Sequence, residues 1–373
     1  MPTRPRDDGS GSRASESDVK RQPAEVAVAR SNAGADDPSL AELGIDRVNH
    51  RELPAAFHGD VYIWDVDKTY LDTQFDSLKG LMRIPFEGAI DKRAFPGTAQ
   101  LLKELRRGPG KHPIEAPLYF ISASPPTLRA VLERKMLLDG VEFDGLTLKD
   151  PVQNVRRGGL RALKAQLAYK LVGLLLHRLD FPAGAHETLF GDDVESDALI
   201  YALYADVVGG RIRGADLLRI LQRHRTEYQL AEWIVSFVDR IPVARSVQRI
   251  FIHLAYGSDP ERFAAFGPTV VPVRDSLQPA VLLEMHDKIS AAGVLRVAAA
   301  MREAGRTDVE LLSSLLDLVR RRLVGGARFG AITTQLTRER LLPPELAFAR
   351  TPPPKKPRHH AAKEPWLPVN ERA

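Results

Sequence analysis

Three observations predict an α/β fold built on a parallel sheet. Strand-like and helix-like segments alternate between residues 45 and 212. Three of the strand ends carry polar residues rather than simple turn residues. Beyond residue 213 the pattern changes, and up to 348 only helical spacing is read, which predicts a second, all-α domain. Alternating strands and helices argue for parallel strands joined by right-handed crossovers.

Each element has its own signal. Val61-Tyr62-Ile63-Trp64 is a short apolar, β-rich run ending at an acidic pair. Residues 97–107 place Leu101, Leu102 and Leu105 on one side of a helix, stopped by Gly108-Pro109-Gly110. Residues 117–121 read as a buried strand followed by Ser122-Ala123-Ser124-Pro125-Pro126, and a helix runs from Thr127 to Gly140. A longer helix is expected over 159–179. Thr188-Leu189-Phe190 reads as a third strand closed by Gly191-Asp192-Asp193, a further helix runs through Tyr204, and Val207-Val208 reads as a fourth, short strand. After 213, helices are expected around Leu217 to Leu221, Trp233 to Val238, Ile250 to Leu254, Leu282 to Ile289, Gly293 to Met301 and Val309 to Leu323. Pro268, Pro272 and Pro279 mark a loop.

The ends differ in composition. Residues 1–44 are rich in Ser, Gly, Ala, Asp and Arg and bury too little apolar surface to offset their ordering entropy, so they read as disordered. Residues 349–373, with Pro352-Pro353-Pro354-Lys355-Lys356-Pro357, read as an extended basic tail. No signal peptide or membrane-spanning run is visible, so a cytoplasmic location is expected, peripheral at a membrane if a lipid is bound. Cysteine is absent, which excludes disulfides, thiolate metal sites and cysteine nucleophiles. The net charge of +5 is uneven: residues 211–373 hold 26 Lys and Arg against 17 Asp and Glu. A basic half of this kind suits an anionic partner, a phospholipid surface or nucleic acid, although a solvated helical surface has the same composition.

In open parallel sheets the ligand crevice lies beyond the carboxyl ends of the strands. Asp65 and Asp67, Ser122, and Asp192 and Asp193 all stand at such ends. Phosphoester cleavage needs a nucleophile, a cation against the phosphate charge and an acid for the leaving oxygen. In this set Asp65 is the candidate nucleophile and Asp67 the acid/base. Mg²⁺ prefers hard oxygen ligands. Asp65, the backbone carbonyl of Asp67 and Asp192 are candidates to supply them, with Asp193 as a substitute and Asp197 orienting the set. Thr69 and Ser122 are candidates to bind phosphate oxygens, and a helical lysine, Lys170 or Lys164, to balance the charge.

The set resembles the haloacid dehalogenase-like superfamily of phosphohydrolases. Asp65-Val66-Asp67-Lys68-Thr69 matches its DxDxT motif, Phe120-Ile121-Ser122 its second motif, Lys170 its third, and Gly191-Asp192 through Asp197 its GDxxxxD motif. The match covers residues 60 to about 210. Within the superfamily, Ser122-Ala123-Ser124-Pro125 is most similar to actin-patch-type phosphatidate phosphatases and their bacterial relatives. Lys68 departs from that pattern, where a further acid is common, and the C-terminal region is no part of it. The resemblance implies a Rossmann-like sheet with a small cap or flap (about 72–94), a Mg²⁺-dependent phosphatase working through an aspartyl-phosphate, and a phosphorylated substrate such as phosphatidate. Polynucleotide ends or phosphoproteins are the alternative substrates, and a non-catalytic binding module is the alternative to an enzyme.

Overall fold

The computed structural model describes residues 43–72, 93–149, 166–194 and 196–347. Its frame is one seven-stranded sheet in the order β1-β4-β3-β2-β5-β6-β7. The strands are β1 (Ile45–Asn49), β2 (Gly59–Asp65), β3 (Leu118–Ser122), β4 (Gly145–Lys149), β5 (Ala185–Asp192), β6 (Val247–His253) and β7 (Val270–Val273). All neighbours pair in parallel except β1, which lies antiparallel against β4 at one edge. From β2 the chain builds outward through β3 to β4, then returns to the other side of β2 to lay down β5, β6 and β7. That reversal of direction at β2 opens a crevice at its carboxyl end.

Successive strand residues point to opposite faces, and here both faces are covered. Ile63, Ile121, Leu189, Ile250 and Ile252 pack with helices α3 (Gln166–Asp180), α4 (Asp197–Val208), α5 (Gly214–Arg223) and α6 (Tyr228–Asp239). Tyr62, Trp64, Phe120, Phe190 and Phe251 pack on the other side. Their cover is α1 (Thr98–Arg107), α2 (Arg129–Leu138), α7 (Leu277–Glu284), α8 (Ala291–Glu303), α9 (Asp308–Arg320) and α10 (Gly326–Arg338). Every residue of β3 and β4 is buried, as expected for parallel strands clothed on both faces.

The α/β prediction therefore holds, but the all-α reading of 213–348 is corrected: β6 and β7 lie within it and extend the sheet. Ile250 to Leu254, expected as helix, is mostly strand, because a continuous apolar run buried on both faces lacks the alternation that distinguishes the two. Pro272, taken as a loop marker, sits in β7, an edge strand where proline is tolerated. The boundary at 212/213 separates no cores, since Leu217, Leu221 and Ile234 share a cluster with Ile63 and Ile121. Val207-Val208, expected as a strand, closes α4. Nearly all of the expected N-terminal tail (1–44), the C-terminal tail (349–373), most of the flap (72–94) and Lys164 lie outside the described residues. The flap's ends do not: Asp72 N–H donates to the Arg93 carbonyl and Phe95 N–H to that of Tyr70, so the chain leaves and re-enters side by side. Among the described residues no helix is long and apolar enough to cross a membrane.

Candidate active site

At the carboxyl end of β2 the chain folds into a tight loop. The amides of Tyr70 and Leu71 both donate to the Val66 carbonyl, and Lys68 takes a left-handed backbone (φ 60°). A non-glycine residue there costs about 1–2 kcal/mol. The loop is held by a neighbour: the ring of His253, at the end of β6, donates from Nδ1 to the Lys68 carbonyl at 2.9 Å. A carbonyl can only accept, so Nδ1 carries the proton. Burial lowers the pKa of His253 below its ordinary value.

Asp65 ends β2 with its side chain almost wholly buried. Lys170 Nζ lies 2.8 Å from Asp65 Oδ1 and 2.5 Å from Asp197 Oδ1, and none of the three side chains is more than 1 % exposed. Thr69 Oγ1 donates to Asp65 Oδ2 at 3.3 Å. Lys170 reaches the site from α3, Asp197 from the first turn of α4 and Asp192 from the end of β5. The Asp192 amide donates to Asp197 Oδ2 at 3.3 Å, and Asp192 Oδ1 accepts from Val194 N–H at 2.6 Å. Gly191 permits this packing. A Cβ there would lie 2.5 Å from Asp197 Oδ2 and 2.7 Å from its Cβ, too close for any side chain.

Asp65, Asp192 and Asp197 form a group whose ligand oxygens lie within 4.8 Å of one another. Three carboxylates against one ammonium leave two negative charges in a space closed to solvent. A divalent cation would neutralise that excess, and an all-carboxylate donor set is the kind hard cations prefer. Asp193 does not belong to this group. Its two oxygens accept the backbone amides of Tyr256 and Ser258, both at 3.0 Å, and tie down the loop after β6.

Asp67 is gripped by two serines of the neighbouring strand end. Its Oδ2 accepts from Ser122 Oγ at 3.0 Å and from Ser124 Oγ at 2.9 Å. Ser122, expected to bind phosphate, here steadies the acid/base candidate, and its Oγ also accepts the Ser124 amide at 3.0 Å. The Ser122 carbonyl accepts the phenol of Tyr169, the residue before Lys170, at 2.8 Å.

Asp65, Thr69, Lys170, Asp192 and Asp197 thus meet in one buried cluster, with Asp67 in the loop after β2 and Ser122 at the end of the adjoining strand β3. Ser124, Tyr169 and His253 escaped the sequence reading as contributors. Ser124 had a visible signal in its i, i+2 spacing from Ser122. His253 had none, because its strand was not recognised. Compared with known protein families, curated proteins and solved structures, the chain has no match.

Proposed function

We propose that this chain is a magnesium-dependent phosphomonoesterase of haloacid dehalogenase-like type, with Asp65 as its nucleophile. The observation that carries this reading is the Asp65–Lys170–Asp197 bridge beside Asp192, formed where strand order reverses. A carboxylate approaches a phosphate only if nearby cations offset the repulsion, and this cluster has one ammonium and a donor set for a divalent ion. Mg²⁺ held by Asp65, Asp192 and the Asp67 carbonyl supplies charge neutralisation when bound.

The protein's own groups divide the remaining work. An Asp65 oxygen attacks phosphorus as the bond to the leaving oxygen breaks, and the Asp67 carboxyl gives its proton to that oxygen, releasing the alcohol. Asp67, now ionised, takes a proton from water. The resulting hydroxide attacks phosphorus, inorganic phosphate leaves and Asp65 is regenerated. Lys170 holds Asp65 in place throughout. The basic C-terminal half suits an anionic lipid such as phosphatidate, with polynucleotide ends and phosphoproteins as competing substrates.

An aryl phosphate assay with and without Mg²⁺ tests the reaction class. Wild type is expected to turn over only with the metal, and Asp65→Asn to lose at least about a thousandfold, on the scale of nucleophile removal. Full activity in Asp65→Asn, or inactivity of wild type on every phosphoester supplied, would sink the reading.

A further inference from the structure

The two serines that grip Asp67 are not equivalent. Ser122 has a single proton, given to Asp67 Oδ2, while its oxygen is engaged by the Ser124 amide. If that hydroxyl turns to a phosphate oxygen when substrate arrives, Asp67 loses one of its two hydroxyl donors. Ser124 donates to the same oxygen from a neighbouring position at 2.9 Å. Among the described residues its hydroxyl makes no other side-chain hydrogen bond. The short 3₁₀ turn that follows (Pro126–Leu128) is capped at Pro125 with no side-chain hydrogen bond.

The backbone around this serine is fixed on several sides. Tyr169 holds the Ser122 carbonyl, the Lys149 amide donates to the Ser124 carbonyl at 3.1 Å, and Pro125 restricts Ser124 itself to extended geometry. Ser124 is 5 % exposed. A buried hydroxyl held this firmly can set the direction of the carboxyl it touches.

The geometry points to Ser124 as a positioning residue for Asp67, one that keeps the acid/base aimed while Ser122 turns to the phosphate. This rests on the phosphatase reading above. It gives Asp67 the hydroxyls of both Ser122 and Ser124 in the resting site and keeps that of Ser124 during turnover. The benefit falls on substrates whose leaving oxygen must be protonated as it departs, which are alkyl esters and esters of weakly acidic phenols. Nitrophenolate departs without a proton and gains little.

The test uses the full chain with Mg²⁺ and a series of aryl phosphates running from p-nitrophenyl to phenyl. In kcat/KM, which reports the phosphorylation step and not the later hydrolysis that all the esters share, Ser124→Ala is expected to stay within about twofold of wild type on the nitrophenyl ester and to fall by about tenfold or more on the phenyl ester, within the range general acids contribute. Asp67→Asn should show the same tilt in kcat/KM, more steeply. Ser124→Thr should restore the wild-type series. Ser124→Cys, which keeps the shape and weakens the donor, gives the answer if the alanine variant does not fold. An equal loss across the series, or none, in a folded variant overturns the assignment while leaving the phosphatase reading intact. Wild type inactive on the whole series ends both.

Discussion

Lys170 is the residue on which the buried cluster turns. Its ammonium meets two carboxylates at hydrogen-bond distance, with all three side chains sealed from solvent. Removing one member of a buried ionic set leaves the others uncompensated, which costs about 3–5 kcal/mol. Lys170→Met is therefore expected to destabilise the fold by that amount, measured by denaturant unfolding; a loss under about 1 kcal/mol would show that the cluster is not held as described. Gly191 is the second sensitive point. Gly191→Ala places a methyl against Asp197, so activity should fall about tenfold or more while the far end of the sheet is unaffected. Asp67, Ser122 and Asp192 were legible in the sequence because the apolar runs before them end in polar residues, and Asp197 through the resemblance of Gly191 to Asp197 to the GDxxxxD motif. That Ser122 reaches Asp67, and Asp193 the loop amides of Tyr256 and Ser258, was not. Which partner a hydroxyl or carboxylate finds depends on segments far away in sequence.

At the scale of elements, the antiparallel strand β1 is fastened by a buried histidine. His177 in α3 accepts from Arg47 of β1 and donates to Thr147 of β4, both at 3.1 Å, while Arg47 also pairs with Asp180. Burial, and then the Arg47 charge, pushes the pKa of His177 well below its ordinary 6.5. Below about pH 6.5 the unfolded chain takes up a proton that the native ring refuses, so stability falls as pH drops, by up to about 1.4 kcal/mol per unit for one proton. His253, depressed by the same burial, adds to the slope with the same sign. His177→Asn should flatten the dependence measured between pH 6.5 and 5; an unchanged slope would show that the ring titrates normally. The strands themselves were unevenly legible. β2, β3 and β5 end in chemistry and announced themselves. β6 and β7 did not, for a strand buried on both faces reads as an apolar run, and Pro272 looks like a breaker until the edge position is known.

Across the whole molecule, the sheet crosses the expected domain boundary. β6 pairs with β5, the strand that carries Asp192, and the amides of the loop after β6 are held by Asp193. Helices from 214 onward share the core of β2 and β3. The chain should therefore unfold in one cooperative transition, with calorimetric and van't Hoff enthalpies in agreement. A fragment ending at residue 212 should fail to fold, since it exposes the flank of β5. Two resolved transitions, or a soluble and active fragment, would show instead that the chain beyond residue 212 unfolds as a separate unit.

If Asp65 carries the phosphoryl group as proposed, trapping the aspartyl-phosphate shows it most directly. With p-nitrophenyl phosphate and Mg²⁺, Asp67→Asn should still be phosphorylated, because the leaving group needs no proton, yet hydrolyse slowly for want of a base. Acid quenching after a single turnover, followed by peptide mass spectrometry, should find close to one phosphoryl group per chain on the peptide containing Asp65. An unmodified Asp65 peptide, alongside an Asp65→Asn variant that turns over as fast as wild type, would contradict it.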